Sequence, residues 1–186
     1  MSEAGIPDTA SAAPRSGRSF VERLLGVLRL DGGAYEDIAA DPSALGQAAV
    51  VVVAAAVCRA ISASGGPLSE QGILFLVQLI ALWPIDTLLV FAIGRWFGHT
   101  PDLMRVARVM GFAVAPFALT ILGVVPVEAV RFVVALVSTA LLLATFVVGV
   151  RHSLQTATGR AVFISVVIAL VLFFVSMVYN FLTMAR

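Results

Sequence analysis

Residues 82–126 read LWPIDTLLVFAIGRWFGHTPDLMRVARVMGFAVAPFALTILGVVP, and this stretch decides the fold class. Two apolar runs flank a short polar turn. Each run, extended to its natural limits, approaches the roughly 20 residues that a helix needs to cross about 30 Å of hydrocarbon. The stretch reads as one membrane span, a basic turn and a second span. It also holds the residues hardest to place in a bilayer: Asp86, two prolines inside apolar runs (Pro84 and Pro116), and Arg95, Arg105 and Arg108 around the turn.

Composition extends that reading to the whole chain. Of 186 residues, 60% are hydrophobic and 12% charged, against about 45–50% apolar and about 25% charged in soluble domains. The pattern specifies an all-α integral membrane protein. A bundle of five transmembrane helices is expected at about 44–62, 72–97, 106–125, 130–150 and 161–183. A net charge of +1 gives no reason to expect a nucleic-acid partner. Every basic residue is Arg, which with the abundant Ala and Val fits a GC-rich bacterial genome.

The region before the first span has two parts. Residues 1–17 are rich in Ala, Ser, Gly and Pro and are expected to be a disordered tail. They lack the apolar core of a secretory signal, so the spans themselves are expected to drive insertion. Residues 18–43 are expected to hold an amphipathic interfacial helix and a short acidic turn. In SFVERLLGVLRL (19–30), 100° steps put Phe20, Val21, Leu24, Leu25, Val27 and Leu28 on one side. Glu22, Arg23, Gly26 and Arg29 fall on the other, and Ser19 is the expected N-cap. Such a helix suits the headgroup region, with Arg towards lipid phosphates. Arg23, Arg29, Arg95 and Arg105 are therefore candidate lipid-phosphate contacts. Asp41-Pro42 marks the start of the first span.

Charge asymmetry orients the spans. Arg15, Arg18, Arg23, Arg29, Arg95, Arg105, Arg108, Arg151 and Arg160 fall on one side; Arg59, Arg131 and Arg186 lie at span ends on the other. The positive-inside rule places the N-terminus in the cytoplasm and the C-terminus outside, in a bacterial inner membrane.

Asp86 is the sharpest chemical candidate. An ionised carboxylate at that depth must find a partner or stay protonated. It lies about 15 Å from Arg95 or Trp96 at 1.5 Å per residue. Arg108, entering the third span from the same side, and Thr120 are the candidate partners. The structural reading is a contact that holds two spans together; the functional one is a proton or ion site. No second intramembrane acid accompanies Asp86, so the structural reading comes first. Pro84 and Pro116 are candidate kinks. Gly94–Gly98 is a GxxxG, and Gly111 with Ala115 a small-xxx-small pair, both read as packing faces. Trp96 is a candidate interfacial anchor and Asn180, beside Tyr179, a candidate interhelical donor. His99 and His152 read as solvated loop residues. Cys58 alone makes no intramolecular disulfide and reads as a small buried hydrophobe. No phosphate-binding loop, nucleophile elbow, HExxH or CxxC occurs, so neither catalytic residues nor a cofactor or metal site is expected.

Three segments resemble the Yip (Ypt/Rab-interacting protein) domain family in its bacterial form: YEDIAADPSALGQA (35–48), FAIGRWFGHTPDLMRVARVMGFAVAPFALTILGVVP (91–126) and VVGVRHSLQTATGRAVFISVV (147–167). The resemblance runs from about Phe20 to Met184. It implies a five-span helical domain with a cytoplasmic N-terminus. Eukaryotic members bind prenylated small GTPases and shape membranes, but the long N-terminal region and DLYGP-type motif of those relatives are lacking here, so GTPase binding is not carried over. The expected function is a non-enzymatic multi-pass protein organising lipids or partner proteins. Its expected partners are the lipid bilayer and another membrane protein or a second copy of itself. The alternative is a small transporter or channel using Asp86.

Overall fold

A computed structural model describes residues 17–64 and 69–184 of the chain. Two short helices, α1 (Phe20–Leu28) and α2 (Gly32–Ala40), precede the long ones. These are α3 (Ala44–Ser64), α4 (Glu70–Trp96), α5 (Leu103–Ala113) continued by a 3₁₀ helix (Ala115–Val124), α6 (Glu128–Leu154) and α7 (Thr158–Met184). Four helical runs, Ala44–Ala63, Glu70–Trp96, Leu103–Val124 and Glu128–Leu154, are long and apolar enough to cross a membrane. A shorter apolar helix, Thr158–Phe174, is the described part of the last apolar run. Of the expected tail, 1–17, residues 1–16 lie outside the described residues, as do the side chains of Tyr179 and Asn180.

Local sequence explains the helix starts. Ser19 and Glu22 form a reciprocal capping box at α1, with the Ser19 amide donating to Glu22 Oε2 at 2.8 Å. Asp31 caps α2, Ser69 caps α4, and Asp102 accepts from the amides of Met104 and Arg105 at the start of α5. The ends are equally local. Gly98 at φ +79 closes α4, with its amide donating to Arg95 O and the His99 amide to Gly94 O. That is the two-bond αL stop that glycine permits. The last turn of α6 carries Arg151, a cation where the helix dipole favours one. The expected polar loop 151–160 thus shrinks to the three residues between α6 and α7.

The third span departs from a plain helix. Pro116 has no N–H for the carbonyl four residues back, and its ring crowds that carbonyl. The α-helix stops at Ala113, and the chain tightens into 3₁₀ geometry, with the Phe117 amide donating to Val114 O at 3.0 Å. At about 2.0 Å rise per residue, ten residues reach about 5 Å further than they would as α-helix. The expected kink at Pro116 is therefore a change of helix type. By contrast, α4 runs on through Pro84. The change frees the carbonyl of Ala113, and Thr145 of α6 donates its hydroxyl to it at 2.7 Å.

The third span is also the middle of the bundle. Of its most apolar window 67% is buried, against 17% for α4 and 22% for α6. It packs on α3, α4 and α6, while α4 lies along α3 and turns most of its surface outward. The 82–126 hairpin is accordingly a central helix with a peripheral one. Close approach is made by glycine. A Cβ on Gly111 would meet Ala48 Cβ at 2.7 Å and Trp83 Nε1 at 3.0 Å, and one on Gly94 would meet Leu154 Cδ2 at 2.6 Å. Both small-residue motifs thus serve packing within the chain at these positions. Gly46, inside α3, has nothing within 4 Å of such a Cβ. Gly111→Ala should therefore lower stability by roughly 1–3 kcal/mol through overpacking. Gly46→Ala should be neutral or raise it by up to about 1 kcal/mol. Melting temperatures in one detergent check the ordering.

Candidate functional site

The polar residues of this chain concentrate where α1 and α2 close over one end of the bundle. Arg23 stands at their centre. It was expected to reach lipid phosphates, and it is instead 2% exposed. Its Nε donates to Asp37 Oδ2 at 2.7 Å, Nη2 to Asp41 Oδ2 at 2.5 Å, and Nη1 to Gln47 Oε1 at 3.0 Å. Asp37 and Asp41 are four residues apart, so one α2 face presents two carboxylates to one planar fork. This fixes the rotation of α1. Arg23, Gly26 and Val27 point inward, while Val21 and Leu25 of the apolar stripe point out. The helix is thus packed on its own chain rather than laid with its whole apolar face on lipid. Asp41 also accepts from the hydroxyl and amide of Ser43, each at 2.8 Å. The Ser43 hydroxyl, then Arg23, hold its carboxyl down at about 2. Arg18 and the Gly33 amide lower Asp31 likewise at the other end of α2.

Two further groups tie the cap down. Arg108 Nη2 donates to Ala39 O at 2.7 Å, in the last turn of α2. That carbonyl has no helical donor and sits at the negative end of the helix dipole. Tyr35 is fully buried and its hydroxyl donates to Thr145 O at 3.2 Å. Its ring stacks on His152 at 5.7 Å between centroids, and Glu36 Oε1 lies 3.6 Å from His152 Nδ1. His152 is therefore part of the packed junction, not a solvated loop residue.

The pairing expected for Asp86 does not form. Arg108 turns to the nearer carbonyl of Ala39 and lies 3.8 Å from Asp102. Thr120 sits at the far end of its span, donates to Phe117 O at 2.6 Å, and lines a cleft of about 600 Å³ with Arg59, Ser62 and Arg131. Asp86 Oδ1 is buried without a hydrogen-bond partner among the described residues. Trp83, one turn away, donates its indole N–H to Ala107 O at 3.0 Å and joins α4 to α5. Of the remaining candidate phosphate contacts, Arg29 and Arg95 are exposed, the latter over the Phe91 ring at 5.7 Å. Arg105 is half-buried and donates to His152 O at 3.1 Å. Arg59 lies over the Phe75 ring at 4.9 Å, and Cys58 is a free, half-buried thiol. No group of three His, Cys, Asp or Glu that could hold a metal occurs among the described residues.

Sequence reasoning missed Tyr35, Asp37, Asp41, Gln47 and Thr145. One signal was present: Asp37 and Asp41 at helical spacing, a hairpin away from an arginine on the polar side of α1.

A helical bundle of this hydropathy, capped at one end by a clamped helical hairpin, is a multi-pass membrane protein. The chain belongs to the Yip1 domain family, whose sequence model matches residues 25–179. The match takes in α2 and, but for the end of α7, the five long helical runs; it begins inside α1, after Arg23. The family is not one of enzymes. No curated protein and no solved structure matches the chain.

Arg23→Met should loosen the cap by roughly 3 kcal/mol, the low end for a broken buried pair because both carboxylates keep some water. Hydrogen exchange of the α2 amides should quicken accordingly. The Asp41 carboxyl is lowered from 3.8 to about 2, so its contribution is complete above about pH 4 and is lost as pH falls through about 2. In wild type, cap exchange corrected for intrinsic rate should rise over that window, and in Arg23→Met the rise should be smaller.

Proposed function

We propose that this is a non-enzymatic membrane protein that organises lipids or partner proteins around it, and that α1 is the element through which it does so. The observation that carries this reading is the clamp on Arg23. It holds α1 in one orientation, with Val21 (59% exposed), Leu25 (43% exposed) and Arg29 spaced at i, i+4 and i+8 along the outward face. An apolar ridge ending in a cation fits the boundary between headgroups and acyl chains. Trp96, 89% exposed at the same end of the bundle, fits that depth. The arginine distribution favours a cytoplasmic position for this end and a bacterial inner membrane as the location. Val21 and Leu25 lie outside the core, so Val21→Glu/Leu25→Glu should insert and melt like wild type. It should lose most of the lipid or protein that co-purifies in mild detergent. Unchanged co-purification would falsify the proposal.

A second reading is favoured by one observation, the buried and unpartnered Asp86 Oδ1. A carboxylate that nothing in its surroundings neutralises is suited to taking and releasing a proton or cation. Reconstituted wild type would then carry a flux that Asp86→Asn abolishes. Absence of proton, sodium and potassium flux from wild-type vesicles would sink this reading.

A further inference from the structure

Beside the cap, a polar groove runs between α2, the α4–α5 loop and the α6–α7 loop. It consists of two adjoining cavities, of about 480 Å³ and about 320 Å³, that share Arg105 and Gln155. Arg151, His152 and Thr156 line the first and His99 the second. Three buried polar atoms along this groove have no hydrogen-bond partner among the described residues: Thr156 Oγ1, Arg105 Nε and His99 Nε2. Thr156 is only 9% exposed, so solvent does not readily replace the missing bond. Buried polar groups are ordinarily paired, and three orphans in one groove call for a shared partner.

The character of the groove indicates what that partner is. Arg105 Nε can only donate, and the Thr156 hydroxyl is free to. Arg151, exposed on the rim, makes no ion pair within 4 Å among the described residues. The two acids on its walls, Asp102 and Glu36, are turned largely to solvent, their side chains 63% and 70% exposed. Asp102 accepts from the amides of Met104 and Arg105, and Glu36 faces His152 Nδ1. The Gln155 side-chain oxygen, in the amide orientation its neighbours favour, accepts from both Arg105 Nη atoms at 3.3 Å, which leaves Arg105 Nε and the Thr156 hydroxyl without an acceptor among the described residues. The geometry points to a binding site for a phosphate group, held by Arg105, Arg151 and Thr156, with His99 completing the second cavity. Trp96 and the Phe97–Phe163 ring pair lie at the same end of the bundle, so the site opens at headgroup depth. A lipid phosphodiester and a free phosphate share this chemistry. The site is separate from the outer face of α1 and stands or falls independently of it.

The test is isothermal titration of the full chain in a neutral detergent. The probes are inorganic phosphate, a short-chain phosphatidylglycerol and a short-chain diacylglycerol that lacks phosphate. Saturable binding of one or both phosphate probes is expected, and none of the diacylglycerol. Response to phosphatidylglycerol alone assigns the site to a lipid headgroup, and response to inorganic phosphate assigns it to a soluble anion. Thr156→Val removes a hydroxyl without a hydrogen-bond partner among the described residues, so its unliganded melting temperature should equal or exceed wild type. Its affinity should fall about tenfold, as for one lost charge-assisted bond. Arg105→Gln should weaken binding at least as much, and Arg95→Gln, on an exposed arginine that does not line the groove, should leave it unchanged. No saturable binding of either phosphate probe, or wild-type affinity in Thr156→Val, overturns the site. So does equal weakening in Arg95→Gln, which would mean diffuse attraction to basic surface.

Discussion

In hydrocarbon a backbone carbonyl without a donor has no water to turn to, and that constraint organises this molecule. The chain leaves the carbonyls of Ala113 and Ala39 loose at helix ends, and side chains from distant elements meet these and add a second bond to the helical carbonyls of Ala107 and Thr145. Thr145 of α6 donates to Ala113, Trp83 of α4 to Ala107, Arg108 of α5 to Ala39 and Tyr35 of α2 to Thr145. Each bond crosses between elements, and at Ala113 and Ala39 the polar repair of one helix is the attachment of another. The break at Pro116 shows the logic most directly. A proline ends α-helical bonding, the freed carbonyl recruits Thr145, and Thr145 in turn offers its own carbonyl to Tyr35.

The cap follows a second rule, that a buried cation must be matched donor for donor. Arg23 meets two carboxylates and an amide oxygen, so its burial is compensated as far as its planar fork allows. Whether such an ion pair adds net stability over apolar packing is a separate matter; its clearest effect here is orientational. An amphipathic helix with only apolar contacts could roll by a residue. With Arg23 clamped, α1 presents Val21, Leu25 and Arg29 in one direction. The charge that a hydropathy argument sends to the lipid surface is the one that keeps the outward-facing stripe in place.

The same end of the bundle holds two kinds of exposed chemistry. The ridge on α1 is apolar with a cation at its end, while the groove beside it is polar and donor-rich. Both lie at the end of the bundle that α1 and α2 close over. Asp86 is of a different kind: it lies on α4, the helix with least burial, and none of the described residues neutralises it. Its isolation separates it from the cap and from the groove.

Run length, capping residues and arginine asymmetry were enough to read the fold class, because each acts within a few residues. Ser19, Asp102 and Gly98 do in the structure what their local chemistry demands. The five apolar runs fall within a few residues of the helices observed. Long-range polar pairing was not legible. Depth along a helix gives height in the membrane but not rotation, and Arg108 faces the cap rather than Asp86 for a reason that only the position of α2 supplies. Arg23 lies on the polar side of its helix by periodicity and inside the protein by packing. The sequence by itself determined that this chain is a helical membrane bundle with a basic end. Only the tertiary structure decided which polar groups meet, because that depends on how helices rotate to satisfy one another's carbonyls and charges.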